Sequence, residues 1–175
     1  MRLSRVRQRF SGREAISIEQ TLGSELAGSG LGMLKNRRIA VAVGSRGISE
    51  LPRIVTGVIR FLKSRGANPF IVPAMGSHGG ATAQGQHSVL KSLGVSGKTM
   101  GVPILASMDT VEIPAGDLQN RIFMDRHAYQ SDGIVLINRV KPHTDYRASH
   151  ESGLVKMAVI GLGKHEQARE IHRFG

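Results

Sequence analysis

The sequence predicts an α/β domain in which helices flank a mainly parallel sheet. Short apolar runs alternate with helical patterns along the 175 residues, which is typical of such domains. Glycine-rich strings follow the first two apolar runs, as expected where a buried strand turns into a loop. Hydrophobic residues make up 40% of the chain, enough for one domain with a sizeable core.

The first two strands and the helix between them have clear signals. Residues 39–43 form an apolar run that leads into Gly-Ser-Arg-Gly, and residues 70–72 form a second run that leads into MGSHGGAT. Between them Ser49 can cap a helix and Pro52 lies in its first turn. The helical spacing is carried by Leu51, Ile54, Val55, Val58 and Leu62, and Gly66 ends it.

The later elements follow the same alternation. Thr82 can cap a helix that runs to about Leu93, and residues 103–105 and 111–113 are short strand candidates. Residues 133–137 are the clearest late strand, and the loop NRVKPHTD follows them. The last segment predicts an apolar strand or helix, a glycine turn and a helix from Lys164. Open parallel sheets bind ligands at the carboxyl ends of their strands, so this order predicts a Rossmann-like sheet with its site at that edge.

Two parts of the chain differ in composition. Residues 1–38 are a basic segment and lead-in, and residues 39–175 are the α/β domain. Because the last helix keeps apolar positions to its end and no closing strand follows, we expect the domain to be truncated at its C-terminal end.

Composition excludes several function classes. Cysteine is absent, so a metal would depend on histidine, carboxylates or the ligands of a cofactor. Apolar runs stay far below the roughly 20 residues of a membrane helix, and the basic start lacks an apolar signal core, which predicts a cytoplasmic protein without a membrane partner. The net charge of +11 suits nucleic acid or an anionic small molecule. Aromatic residues are only 4% of the chain, which favours the small molecule and leaves nucleic-acid binding through the basic arm as a weaker alternative.

Common catalytic motifs are absent. A Walker A loop ending at Lys164 would need Ser or Thr at position 165, which is histidine. Zinc-protease spacing after His165 would need histidine at position 169, which is arginine. Gly-Ser-His-Gly-Gly has histidine where a nucleophile elbow has serine. The remaining candidates are histidines and a lysine on loops and on the last helical segment.

His78 lies between glycines that let a ligand approach, and its imidazole can exchange protons near neutral pH. His143 follows Lys-Pro at a strand exit, with Asp145 placed to orient its ring. Lys156 lies in an apolar stretch, where desolvation would favour a neutral, nucleophilic amine. His172 follows His165 by seven residues, so both can share a helix face and ligate a metal. Each could instead be a solvent-exposed residue.

These strings resemble the N-terminal domain of the lactate racemase family, a two-domain family that uses a nickel-pincer nucleotide. The resemblance covers residues 39 to 172 and rests on GSRG at 44–47, PAMGSHGGAT at 73–82, NRVKPHTD at 138–145 and ESGLVKMAVIGLGK at 151–164. It is closer to the relatives that carry GSHGGAT than to the characterised racemases.

The resemblance implies roles for six residues. His78 and His143 would act as acid and base on opposite faces of a hydroxy-acid substrate, whose hydride passes to the cofactor. Arg46, with Ser45 beside it, would bind the cofactor phosphate or the substrate carboxylate. Lys156 would hold the nickel-pincer nucleotide covalently, and His172, sixteen residues on, would ligate the nickel.

The resemblance therefore implies an isomerase that racemises or epimerises a 2-hydroxy acid or sugar acid. The chain has three more residues between His143 and Lys156 than the characterised racemases have, so lactate is doubtful as the substrate. The family's C-terminal domain closes the cleft, and we expect it as a missing partner. The alternative is a catalytically inactive nucleotide- or metal-binding domain of the same fold.

Overall fold

The computed structural model describes residues 4–7, 9, 16–141 and 152–173, and these residues form a mixed α/β fold. The strands are β1 (Arg38–Val43), β2 (Asn68–Pro73), β3 (Thr110–Ile113), β4 (Ile122–Asp125) and β5 (Gly133–Ile137). The helices are α1 (Ile18–Gly28), α2 (Leu51–Ser64), α3 (Ala83–Ser92), α4 (Gly97–Met100), α5 (Arg126–Tyr129), α6 (Leu154–Lys156) and α7 (Lys164–Ile171).

A small parallel sheet forms the centre, with strand order β2-β1-β5. Val41 of β1 pairs with Ile71 on one side and Val135 on the other. Ile104 makes a further parallel bridge to Ile71 at the β2 edge, where the sequence predicted a strand. The three central strands were all expected from their apolar runs, so the prediction of a parallel sheet flanked by helices is confirmed at this level.

Helical layers cover both faces of β1, which explains its continuous apolar run. Val41 and Val43 belong to a core cluster with Val55 and Leu62 of α2. Ala40 and Ala42 face the other side and pack with Phe70, Met157, Leu162 and other apolar side chains. Every residue of β1 after Arg38 is buried.

The helix starts only partly follow the expected caps. Thr82 does cap α3, because its Oγ1 accepts a hydrogen bond from the amide of Gly85 at 3.0 Å. Ser49 does not cap α2, so that expectation was wrong: the helix begins at Leu51, and the preceding Glu50 is left-handed at φ 58° and makes no side-chain cap bond. Pro52 in the first turn supplies a backbone already suited to a helix.

Two elements lack a clear signal in the sequence, α1 and β4, whereas β3 and α7 lie where the sequence gives a strand candidate and a helix. α1 packs against α2, with Leu22 and Leu26 on the edge of the core. β3 and β4 form a separate antiparallel pair. The final segment is helical: α6 continues through a π-helical turn over Met157–Gly161, and α7 follows. Across the described parts of the chain, no helix combines the length and apolar character needed to cross a bilayer.

Candidate functional site

The exits of β1 and β5 lie side by side at one edge of the parallel sheet. Val43 pairs with Ile137 at the ends of these strands, and the amide of Gly44 donates to the carbonyl of Ile137 at 3.5 Å. β1 is the central strand, with β2 on one side and β5 on the other. A crevice at the end of such a strand is the usual ligand position in open parallel sheets.

A recess of about 130 Å³ lies at this edge. It is bounded by the loops that follow β1, β2 and β5 and by the helical segment around α6. Ser45, Arg46, His78 and Lys156, which come from three separate sequence strings, all line it. The structure therefore brings together four of the residues singled out from sequence. The other polar residues on its wall are Asn138, Arg139, Lys141 and Ser152.

The contact between Ser45 and His78 fixes one side of the imidazole. Ser45 Oγ lies 2.5 Å from His78 Nδ1, a hydrogen bond whose donor depends on the tautomer of the ring. Partial burial lowers the pKa of His78, and the positive charges of Arg46 and Lys156 lower it further. The imidazole is therefore neutral near pH 7 and can accept a proton from a ligand.

The described wall of the recess is cationic. It carries Arg46, Arg139, Lys141 and Lys156, and no Asp or Glu is among its described residues. Carboxylates and phosphates are the ligands that such a wall attracts, and a guanidinium can bind either with two hydrogen bonds. The recess thus combines a proton acceptor with groups that hold an anion.

Lys156 is exposed, so its expected desolvation was wrong. It ends α6, whose other residues Leu154 and Val155 are also exposed at 47% and 45%. The apolar stretch instead buries Met157 and Leu162, which point to the sheet side of the segment. Lys156 still reaches the recess, because α6 runs along its edge.

The two remaining predicted residues are His143 and His172. His143 and its neighbour Asp145 fall outside the described residues. His172 follows α7 and lines a separate groove with His165, Ser77 and Arg169. His165 and His172 thus line the same groove, and the nickel role of His172 stays a prediction. Among the described residues, no three His, Cys, Asp or Glu side chains are grouped so that they could hold a metal ion.

A buried polar cluster beneath the His78 loop was missed by sequence reasoning. Lys164 is 0% exposed, and its Nζ donates to the carbonyl of Pro73 and to Gln86 Oε1 at 2.5 and 3.2 Å. The same nitrogen lies 3.1 Å from Oδ2 of Asp125, which is also fully buried. Desolvation lowers the pKa of Lys164, although Asp125 acts in the opposite direction.

Only part of this cluster has a signal in the sequence. Gln86 precedes Leu90 by four residues, so it shares the core-facing side of α3, where a polar residue is unusual. Asp125 stands at a typical helix N-cap position, and its Oδ1 accepts from the amide of Ala128 at 2.8 Å. Lys164 has no such signal, because lysine at a helix start predicts a solvated side chain.

Glycines allow the His78 loop to lie close to α3. Gly79 has φ +69°, a conformation that L side chains rarely adopt, and a Cβ on Gly85 would lie 1.8 Å from the carbonyl oxygen of Gly79. The glycines of MGSHGGATAQG therefore have a structural role in addition to exposing the histidine.

Comparison of this chain with family models, curated proteins and solved structures finds no match.

Proposed function

We propose that the chain is a lactate-racemase-like isomerase domain with a Rossmann-like sheet. Its reaction would be the racemisation or epimerisation of a 2-hydroxy acid or sugar acid. The observation that supports this most is that Ser45, Arg46, His78 and Lys156 line one recess at the exits of β1 and β5. Each residue type has a use in that reaction.

His78 would take the proton from the substrate hydroxyl. Its lowered pKa keeps the ring neutral, and in the tautomer in which Nδ1–H donates to Ser45 Oγ, Nε2 carries no proton and can accept one from the substrate. Arg46 would hold the substrate carboxylate with two hydrogen bonds, which fixes the hydroxyl-bearing carbon near the ring. Inversion requires a proton donor or acceptor on the opposite face, and we assign that role to His143.

The described wall of the recess fits a nickel-pincer nucleotide in its charge and its amine. Arg46, Arg139 and Lys141 suit the nucleotide phosphate, and Lys156 offers the amine for covalent attachment. When bound, the cofactor supplies the hydride acceptor that side chains lack. His172 is the proposed nickel ligand, although it lines the neighbouring groove rather than this recess.

Intact-mass spectrometry tests the proposal directly. The chain, produced together with the cofactor-synthesis enzymes, should carry a covalent adduct and bound nickel. Lys156→Ala should lose the adduct, whereas Lys98→Ala, at an exposed lysine of α4, should keep it. Wild-type protein with neither adduct nor nickel would overturn the cofactor assignment. An adduct without inversion of any 2-hydroxy acid would instead favour a binding domain that lacks turnover.

A further inference from the structure

Gln86 connects the buried Lys164 to the loop that carries His78. The side chain of Gln86 is fully buried in α3, with Oε1 facing Lys164 Nζ at 3.2 Å. Its Nε2 donates to the carbonyl of Gly76 at 2.7 Å and to that of His78 at 3.2 Å. One amide group therefore contacts the loop at two carbonyls, that of Gly76 and that of His78 itself.

The orientation of this amide follows from the groups around it. An ammonium can only donate hydrogen bonds, so Lys164 requires the oxygen of Gln86 on its side. The carbonyls of Gly76 and His78 can only accept, so they require the nitrogen. Asp125 and the carbonyl of Pro73 hold Lys164 Nζ in place from the other side. The donors of Lys164 thus determine how the Gln86 amide is oriented, and this orientation directs its N–H groups to the loop carbonyls.

We propose that Gln86 and Lys164 are positioning residues that hold the His78 backbone, and through it the imidazole, at the recess. Lys164 spans from α7 to the end of β2, and Gln86 continues the connection from α3 to the loop. The inference depends on the proposed function only for the catalytic role of His78.

The other hydrogen bonds of the loop explain why this support matters. The amide of His78 donates to the carbonyl of Met75 at 3.1 Å, and that of Ala81 donates to the carbonyl of Ser77 at 3.0 Å. Both bonds lie within the loop, so they shape it without attaching it to the helices. Gly76 makes a bond outside the loop, because its amide donates to the carbonyl of Gly161 at 3.2 Å. Gln86 attaches the loop through the backbone carbonyl of His78, while Ser45 Oγ holds the imidazole at Nδ1.

The variant Gln86→Glu tests the positioning role in a protein whose buried cluster keeps its acceptor for Lys164. A carboxylate still accepts from Lys164, but it has no N–H for the two carbonyls, so the cluster keeps its acceptor and the loop loses its donors. We expect hydrogen exchange of the His78 amide to accelerate by about tenfold or more at pH 8. Gln84→Glu is the matched control, since it makes the same charge change at an exposed position of the same helix. In the control, exchange should stay as in the wild type.

Gln86→Met tests the imidazole itself, because it removes the donors without adding a charge. We expect the pKa of His78, followed by NMR of its ring, to move up towards the ordinary value of about 6.5. The reason is that a released loop loses its partial burial and its nearness to Arg46 and Lys156. This variant also replaces Gln86→Glu if that protein does not fold.

The outcomes distinguish this inference from the proposed function. If His78 keeps its amide exchange and its pKa in the folded Gln86 variants, the positioning role is refuted, whatever the Lys156 adduct experiment shows. If His78 responds while the wild type carries no adduct or nickel, the positioning role stands and the cofactor assignment fails.

Discussion

Lys164→Met tests how strongly the buried polar cluster stabilises the fold. The substitution removes one partner of a fully buried ion pair and leaves Asp125 charged, with Oδ2 facing no donor. Breaking a buried pair in this way costs about 3–5 kcal/mol. We expect a loss in the lower half of that range. The pKa of Lys164 is lowered, so the attraction of Asp125 offsets only part of the cost of burying the ammonium group. For a domain of this size, a loss of about 3–4 kcal/mol corresponds to a fall in Tm of roughly 6–16 °C.

A double variant shows whether the stranded charge is the cause. Asp125→Asn keeps the Oδ1 acceptor for the amide of Ala128 but removes the charge. In the Lys164→Met background it should therefore recover about half or more of the lost stability, since replacing a whole buried pair is often close to neutral. Urea unfolding measures both steps. A loss below about 1 kcal/mol for Lys164→Met, or no recovery in the double variant, would refute this explanation.

The same lysine predicts a pH dependence with a definite sign. Its pKa is lowered in the folded state, so between that value and about 10.5 the unfolded chain binds more protons. The stability of the wild type relative to Lys164→Met should therefore rise as the pH increases through this window. A difference that falls with pH would contradict the direction of the shift.

Two further predictions concern the loop of His78 and the charges around it. Gly85→Ala should destabilise the protein by about 2 kcal/mol or more, because the new Cβ would overlap the Gly79 carbonyl. The control Gly23→Ala has open space around it in α1 and should be neutral or stabilising by up to about 1 kcal/mol. Equal effects of the two substitutions in urea unfolding would refute the close contact. Arg46→Gln should raise the pKa of His78 in an NMR titration, because removal of a positive charge makes protonation easier. The control Arg60→Gln, on the exposed side of α2, should leave that pKa unchanged. A pKa of His78 that stays constant or falls in Arg46→Gln would show that the charge does not act on the ring.

The elements predicted correctly are those whose sequences carry their own signal. β1 and β5 are apolar runs because neighbouring layers cover both faces of the sheet. Thr82 indicates the start of α3, because threonine is a typical N-cap residue and its side-chain oxygen caps the helix. Four of the six candidate site residues meet in one recess: three follow strand exits, which lie at the same edge of a parallel sheet, and Lys156 comes from α6. The strand order itself, which decides which loops meet, was not predicted.

The elements that were missed depend on contacts distant in sequence. α1 has only a sparse apolar pattern, and Leu22 and Leu26 find their partners on α2. β4 is held partly by Gln167 of α7, whose Oε1 accepts from the amide of Phe123 at 2.7 Å. Such support is invisible locally, because the polar side chain that replaces a neighbouring strand lies more than 40 positions away. Lys164 was missed for the same reason.

The buried cluster explains why the glycine-rich strings at 73–82 and 152–164 act as one structural unit. Lys164 Nζ donates to the carbonyl of Pro73, and the amide of Gly76 donates to the carbonyl of Gly161. These two bonds attach the C-terminal string to the exit of β2. The recess residues His78 and Lys156 belong to these two strings and therefore share a support. Any change that loosens Lys164 should move both residues, whereas a change in α1 should move neither. The geometry of the recess is thus set by polar contacts beneath it as well as by the apolar core of the sheet.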